Sequence, residues 1–490
     1  DIFFGTGRIN SRRALTADST PTTPPTDLSA TSPIASAYAN ARKLARDASG
    51  GLHLVWDRQD GDQYQVVYAS STDDGLTWSS AEMVFTSPEE TYQPALALDG
   101  SHLHLAFASL QDSARYRVWF SRRPVAGGTW SEPVPLTDGS YDTVRPALFA
   151  DRSNDRLHMV AGSLDNAPYV YHTASNDAGA TWSPVSQVNV STGGAQNSRY
   201  AAVHAYGDHV YLAGRTVELW LGFLPHFRLF TVRSMDGGNT WGDLTVLAEH
   251  DGLFSGAYGV TLAGVADLLY LGYEHAGAVY FSHSPDGVTW TGASNLGDGY
   301  WPSATQADDG RGWMLWENEG SLLLRHYTGA AWEPVETVLE GSSLSKGAYS
   351  NLKLGTRGER LEWVFTQCSG SPFRLVVDGR PVAPGPPPPT APSNVQASDG
   401  AFIDRVHITW ASSPGATYYE VYRAISLEDT RTLLGSSSAP WYDDTTAVAG
   451  TSYFYWVKAC NDRGCSDYSA HDDGWRGEGI PVFLPIVQNH

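Results

Sequence analysis

The sequence predicts an all-β chain: a ring made by repeating one four-stranded unit, followed by a separate β-sandwich. Three observations lead there. An acidic octet returns along the first part of the chain, an alternating apolar strand returns beside it, and a proline-rich break opens a segment of different pattern. Repetition of this kind outranks any single-site reading, because one such unit cannot bury its apolar face alone.

The octet Ser71-Thr72-Asp73-Asp74-Gly75-Leu76-Thr77-Trp78 recurs as Ser175-Asn176-Asp177-Ala178-Gly179-Ala180-Thr181-Trp182 and as Ser234-Met235-Asp236-Gly237-Gly238-Asn239-Thr240-Trp241. Ser284 to Trp290, with Asp286, is one residue short, and Gly127 to Trp130 keeps only the tail. Its physics is that of a turn. The Asp carboxylate accepts backbone N–H groups, the Gly takes positive φ, the Thr hydroxyl closes the loop, and the Trp buries its ring against a neighbour, its N–H needing a partner. Strand-like residues precede each copy, as in Gln65-Val66-Val67-Tyr68. Each octet therefore closes a hairpin and reads as a structural fastener rather than a calcium or sugar site.

The second repeat sets the number of units. Leu52-His53-Leu54-Val55-Trp56 returns at 103–107, 157–161, 209–213, 268–272, 312–316 and 361–365. Alternation marks these as strands, and their spacing fits four strands plus loops. Seven strands predict seven blades, with a strand from near residues 28–38 completing the last and closing the ring; the rival is a ring of six. Closure removes exposed sheet edges. His53, His104, His158 and His209 fall at equivalent places in different units, so they do not converge on one ion, and neither metal nor cofactor is expected.

The rest of the chain follows in order. Residues 1–17 contain a Gly5-Thr6-Gly7-Arg8-Ile9-Asn10 turn before a short helix, and the Thr-, Pro- and Ser-rich stretch after it reads as an extended linker. Expected boundaries are 1–20 for a remnant of an upstream domain, 21–32 for a linker, 33–378 for the ring, 379–390 for a proline-rich linker, 391–472 for the sandwich and 473–490 for a tail. In the sandwich the Trp410 strand and the Tyr453/Tyr455 strand pack the core. Cys460 and Cys465 flank Asn-Asp-Arg-Gly, a turn that a disulfide would pin, which implies an oxidising compartment. The tail's apolar run is too short to span a bilayer, and nothing else approaches eighteen apolar residues. The formal net charge of -21 argues against nucleic acid and anionic membranes as partners. With neither a start Met nor a signal peptide, the chain is expected to be a segment of something longer.

The octets resemble the Asp boxes, or BNR repeats, of sialidases and related β-propellers, over about residues 33–378. The resemblance implies a seven-bladed (alternatively six-bladed) sialidase-like β-propeller. Residues 391–472 resemble a fibronectin type III domain, through Val406-His-Ile-Thr-Trp410 and Ser452-Tyr-Phe-Tyr-Trp-Val-Lys-Ala-Cys460. Residues 1–17 resemble the end of a subtilisin-like protease domain, whose own catalytic motifs this chain lacks. The boxes implied are Asp73, Gly75, Trp78, Asp177, Gly179, Trp182, Asp236, Gly238, Trp241, Asp286 and Trp290.

In such propellers, ligand sites lie on the face away from the boxes, at the entries of the innermost strands and in the loops after the second strands. Entries offer Arg42, Tyr92, Arg145, Arg199, Tyr258, Trp301 and Tyr349; loops offer Asp57, Arg58, Asp112, Asp165, Arg215, Glu218, Trp220, Glu274, His275, Glu317 and Glu319. The stretch from Thr216 to Phe230 is expected to be the longest loop. Tyr92, Arg215, Glu218, Trp220, Tyr258, Trp301 and Glu317 are the candidate ligand-binding set. A sialidase needs three arginines on a carboxylate, a Tyr nucleophile with a Glu, and an Asp acid/base. Arginine suits the grip because its fork pairs bidentately. Arg42, Arg145 and Arg199, Tyr349 with Glu274 or Glu317, and Asp57 or Asp60 are the candidates. Arg42-Lys43-Leu44 departs from the family's Arg-Ile-Pro, and Arg46 is a rival for that role. The expected function is therefore an extracellular accessory segment that binds a glycan or protein surface, with the resemblance of residues 1–17 implying an upstream protease in the same precursor; the alternative is an exo-acting glycoside hydrolase of sialidase type.

Overall fold

The computed structural model describes residues 28–30, 42–112, 114–151, 153–165, 168–191, 197–220, 224–251, 259–307, 310–340, 349–355, 358–367, 373–381, 389–461 and 464–478. Among them the regular elements are all strands, and no helix is long and apolar enough to cross a membrane. The chain divides into two compact units, Asp1–Ala383 and Pro384–His490. The expected N-terminal remnant, Cys368 and the C-terminal tail from 479 lie outside the described residues.

The first unit is a β-propeller. Six four-stranded antiparallel meanders follow one another within residues 44–87, 91–135, 143–189, 197–251, 260–298 and 300–339. In the seventh sheet three strands come from residues 349–381, and the fourth is Ser29–Ala30, which pairs with Phe373 and Arg374. The first strand of each sheet touches the first strand of the next, and that of the seventh returns to that of the first. The closing seam carries its own core, in which Leu28 and Ala30 join Leu44, Leu54, Trp56, Trp78, Val364 and Leu375. Arg46 reinforces it, bonding Glu362 of the seventh sheet and Asp74 of the first box at 2.9 Å.

The second strands are buried because each is sandwiched between neighbouring sheets; Leu54, Leu105, Met159, Leu269 and Leu315 are fully enclosed. This is why they read as near-continuous apolar runs. Their histidines are spent on local bonds. His53 meets Asp47 at 3.1 Å, His104 meets Asp99 at 2.7 Å, His158 meets His172 at 3.1 Å, and His209 meets Asp267 at 2.8 Å.

The boxes close the third strand onto the fourth. In the first three, the Ser hydroxyl takes the Gly N–H at 2.9 Å, one Asp oxygen takes the Thr N–H at 2.8 Å, and the other takes the Thr hydroxyl at 2.6 Å. These bonds, led by that from the Thr hydroxyl, hold Asp177 and Asp236 down at about 2. Each turn then sits on the preceding sheet. Trp130 packs edge-on against Tyr68, Trp182 against Phe120 and Trp241 against His172, at 5.4, 4.9 and 5.3 Å. The Trp N–H expectation holds only for Trp78, which donates to Gly75 O at 3.2 Å. The indole nitrogens of Trp182, Trp241 and Trp290 are buried without a partner among the described residues, so ring burial carries the contact. A further turn of this kind, Tyr327 to Trp332, bridges Tyr327 to Trp332 and packs Trp332 on Phe281 at 4.8 Å.

The second unit is a two-sheet sandwich. The strand order is Ser393–Ala397, Val406–Ala411, Trp441–Asp444 in one sheet; in the other, Tyr418–Ala424 and Ser452–Asn461 are central. Trp410, Val421, Tyr455 and Val457 form its core with Val406 and Ile408. Tyr455 and Arg423 both donate to the buried Asp444 carboxylate, at 3.0 and 2.7 Å. Cys460 and Cys465 are disulfide-bonded across the turn.

Candidate functional site

On the face opposite the boxes, four innermost strands begin in the same unusual way. Gln93, Arg145, Tyr200 and Trp301 have φ of 58°, 53°, 63° and 57°, a region that bulky side chains rarely occupy. At each, the register jumps: between Tyr92 and Ala95, Val144 and Ala147, Arg199 and Ala202, and Tyr300 and Ser303. These are β-bulges, which re-aim a side chain at the end of a strand. In three of the four, a proline follows; having no N–H, it leaves no ladder donor orphaned. Arg145 and Trp301 were legible as entry residues. Gln93 and Tyr200 were missed in favour of Tyr92 and Arg199, one position earlier, although Gln-Pro-Ala-Leu, Arg-Pro-Ala-Leu and Trp-Pro-Ser-Ala at 93–96, 145–148 and 301–304 held the signal.

The bulges bring sheets three, four and five together. The Arg145 guanidinium lies 4.2 Å from the Tyr200 ring centre, and Arg215 lies 5.2 Å from it. Arg215 also covers Phe227 at 4.7 Å. Tyr200, Arg215 and Glu274 are all buried. Arg215, Phe227, Tyr273, Glu274 and His275 line one cleft of about 20 Å³, room for about one water, so a single substituent of a ligand could enter it while the ring stays outside. Burial pushes the Tyr273 hydroxyl up to about 12, so it stays protonated. Next to this cluster, Gly259 packs on Trp301 and Pro302: a Cβ there would come within 2.6 Å of the Pro302 ring.

The other candidates are distributed differently. Arg42 reaches across to the Phe149 ring, 5.4 Å away, four residues along the strand from Arg145, or roughly 13 Å. Asp57 takes the Gln93 N–H at 3.3 Å, and the buried Lys43 ammonium donates to Pro94 O at 3.0 Å. Burial lowers Lys43 to about 8 and raises Asp57, each opposed by the charge of the other. The pair fastens sheet one to the bulge of sheet two. Arg58 donates to Gln65, Glu317 caps its hairpin through the Gly320 N–H at 2.9 Å, and Asp165 holds Arg115 at 3.0 Å. Tyr92 stacks edge-on against Tyr116 at 5.2 Å.

Arg199, Glu218, Trp220 and Tyr349 enter by backbone position: Arg199 pairs with Arg215, Glu218 with His226, Trp220 with Leu224 and Tyr349 with Val364. Tyr258 lies outside the described residues. Within the stretch from Thr216 to Phe230, the described residues 216–220 and 224–230 are strand, not the expected loop. Strands His209–Trp220 and Leu224–Ser234 run on as one ladder, because β-branched and aromatic residues at 216–220 and 227–231 suit cross-strand pairing.

A mutant of Trypanosoma rangeli sialidase displaying trans-sialidase activity is similar at 12% identity over 89% of this chain and 88% of its own, with a TM-score of 0.42. A Fn3-like protein from Clostridium thermocellum is similar at 25% identity over 19% of this chain and 97% of its own, with a TM-score of 0.17. An amylopullulanase of Thermoanaerobacterium saccharolyticum is 30% identical over 112 residues, 21% of this chain; the chain spans about 8% of that relative's length. The model of the BNR repeat-like domain matches residues 39–314, the span that carries the box turns and the left-handed entries. That match takes in more than half of the 490 residues, and the chain belongs to the BNR repeat-like domain family.

Proposed function

We propose that this chain is an extracellular accessory segment whose propeller mouth binds glycans, free or on protein surfaces. The observation that carries the reading is the Arg145–Tyr200–Arg215 stack beside the buried Glu274. A guanidinium fork hydrogen-bonds paired oxygens in its plane, whether vicinal hydroxyls or a carboxylate. Packing on Tyr200 and Phe227 fixes the plane of the fork, so little order is lost on binding. The Cys460–Cys465 disulfide supports an oxidising, extracellular setting. The sandwich, read as a fibronectin type III module, spaces the propeller or adds a second contact. The resemblance of residues 1–17 to the end of a subtilisin-like domain extends the proposal to an upstream protease in the same precursor.

A second reading is an exo-acting glycosidase of sialidase type. Two arginines and a buried carboxylate in one cluster favour it. A fluorogenic sialoside and a glycan array separate the two. The expected result is no turnover, with array binding weakened about tenfold or more by Arg215→Ala and by Trp301→Ala. Turnover that Glu274→Gln abolishes would replace the binding reading with the enzymatic one.

A further inference from the structure

A second cavity lies on the box face, between the third and fourth sheets. It encloses about 210 Å³, an order of magnitude more than the cleft at the mouth. One wall is the outer part of the third sheet, with Arg156, His172, Ala174, Asn176 and Pro184; the other is the fourth sheet's box turn, ending in Asn239. That turn carries glycine at both 237 and 238, where the first two boxes carry Asp74-Gly75 and Ala178-Gly179. A Cβ at Gly237 would come within 2.3 Å of the Arg156 guanidinium, and one at Gly238 within 2.1 Å of the His172 ring. The turn therefore rests directly on the floor of the cavity and leaves the space beside it open.

The charges at this site are already matched. Arg156 donates to Asn176 Oδ1 at 2.7 Å and to Asp208 at 3.2 Å. Both Asp236 oxygens are occupied within the box. A free anion would meet Asp208 and Asp236, and a cation would meet Arg156. Uncharged capacity remains. Asn176 accepts through Oδ1, which leaves its amide N–H groups to donate. Asn239 donates to Asp236 O, which leaves its carbonyl to accept. Groups that both donate and accept satisfy such a mixture, and hydroxyls do so best. The Pro184 ring and the Ala174 methyl supply apolar wall between them.

We propose that this cavity is a binding site for one neutral sugar ring, separate from the propeller mouth. Its volume lies below the ~300–1,000 Å³ of drug-sized pockets, which suits a single ring and excludes a longer oligosaccharide. The site takes a terminal hexose from the side, with Asn176 and Asn239 reading adjacent hydroxyls and Pro184 under the ring.

The test uses the full chain and saturation-transfer NMR. The probes are methyl glycosides of glucose, galactose and mannose at about 20 mM, since a lone ring binds near the millimolar range, with glucuronate as the charged probe and inorganic sulfate, which has no proton to observe, as a competitor. Transfer from at least one neutral glycoside is expected. Ala174→Trp, which fills the cavity, should abolish it. Asn176→Ala should weaken it about tenfold, and serves alone if the filling variant misfolds. The cavity variants and their parent are read in the Arg215→Ala background, where binding at the mouth is already weakened, so this proposal and the glycan reading of the mouth fail separately. In that background, no transfer from any neutral probe, transfer unaltered by both cavity variants, stronger transfer from glucuronate, or loss of the neutral signal on adding sulfate would overturn the assignment.

Discussion

Acid should loosen the third and fourth sheets well before it reaches the boxes. His172 and His204 are buried, and burial lowers both from 6.5 to about 4; for His204 the Arg42 charge adds to this while the Ala266 carbonyl opposes it. The unfolded chain takes up protons near 6.5, but the folded one refuses them until about 4. Stability is therefore fully present above 6.5 and lost as pH falls through that window. At pH 5 the loss is about 2 kcal/mol for each ring and about 4 kcal/mol for the two. His158, lowered by burial and by the neighbouring His172, adds in the same direction. Hydrogen exchange followed by mass spectrometry on peptides from 157–175 and 197–213 reads this locally. Protection, corrected for intrinsic rates, should fall about a thousandfold between pH 7.5 and 5. A His172→Gln/His204→Gln variant should lose most of that slope. Equal protection at the two pH values, or a slope that survives the double substitution, would refute the reasoning. The box carboxylates are a separate matter. Asp177, Asp236 and Asp286 sit at about 2 against 3.8, so their contribution is present above 3.8 and is lost only below it.

Three further outcomes follow from the same geometry. Gly238 and Gly75 both have positive φ, but the nearest atom to a Cβ is 2.1 Å away at Gly238 and 3.5 Å at Gly75; Gly238→Ala should cost about 3 kcal/mol or more against about 1 for Gly75→Ala, by thermal melts. Reducing Cys460–Cys465 should destabilise the sandwich by about 2 kcal/mol in urea titrations. Asp57→Ala leaves the Lys43 ammonium buried and should cost about 3 kcal/mol in chemical denaturation, whereas Glu274→Gln should act on ligand affinity at the mouth with little change in melting temperature.

Much of the architecture was legible because it depends on burial and repetition. The second strands are enclosed on both sides, so Leu54, Leu105 and Met159 had to be apolar and the repeat stood out. The box turns need Asp, Gly, Thr and Trp at fixed offsets, and little else satisfies those bonds. The closing strand was placed near residues 28–38 because the seventh unit lacked an outer strand; it is Ser29–Ala30. The mouth was less legible for a definite reason. A bulge shifts the pattern by one residue, and alternation counts straight past it. Tyr92 and Arg199 were therefore favoured over Gln93 and Tyr200. The aromatic run at 216–230 resembled a loop because it extends beyond the neighbouring sheets, where no repeat marks it. The sugar-sized cavity had no signature, since it depends on two glycines meeting an Arg and a His from another sheet.

The two faces divide the work by backbone conformation. On the box face, positive φ falls on Gly75, Gly179 and Gly238, where the absent side chain lets the turn sit against the preceding sheet, and on Asp74 and Ala178 just before two of them. On the opposite face, positive φ falls on Gln93, Arg145, Tyr200 and Trp301, where a large side chain is present. An L-residue in that region costs about 1 kcal/mol or more. A glycine would have relieved that cost at each of the four, as it does in the boxes. Each of the four keeps a large side chain at that cost. Three of the four line up as x-Pro-small-apolar, so the backbone device is shared while the first residue varies between Gln, Arg and Trp. A shared device with a variable tip places chemically different groups at equivalent entries of successive sheets. In the boxes the opposite holds: the tip is fixed and only the octet's second, fourth and sixth positions vary. The propeller is therefore fastened from one face and differentiated at the other, and the Arg145–Tyr200–Arg215 stack lies where that differentiation concentrates.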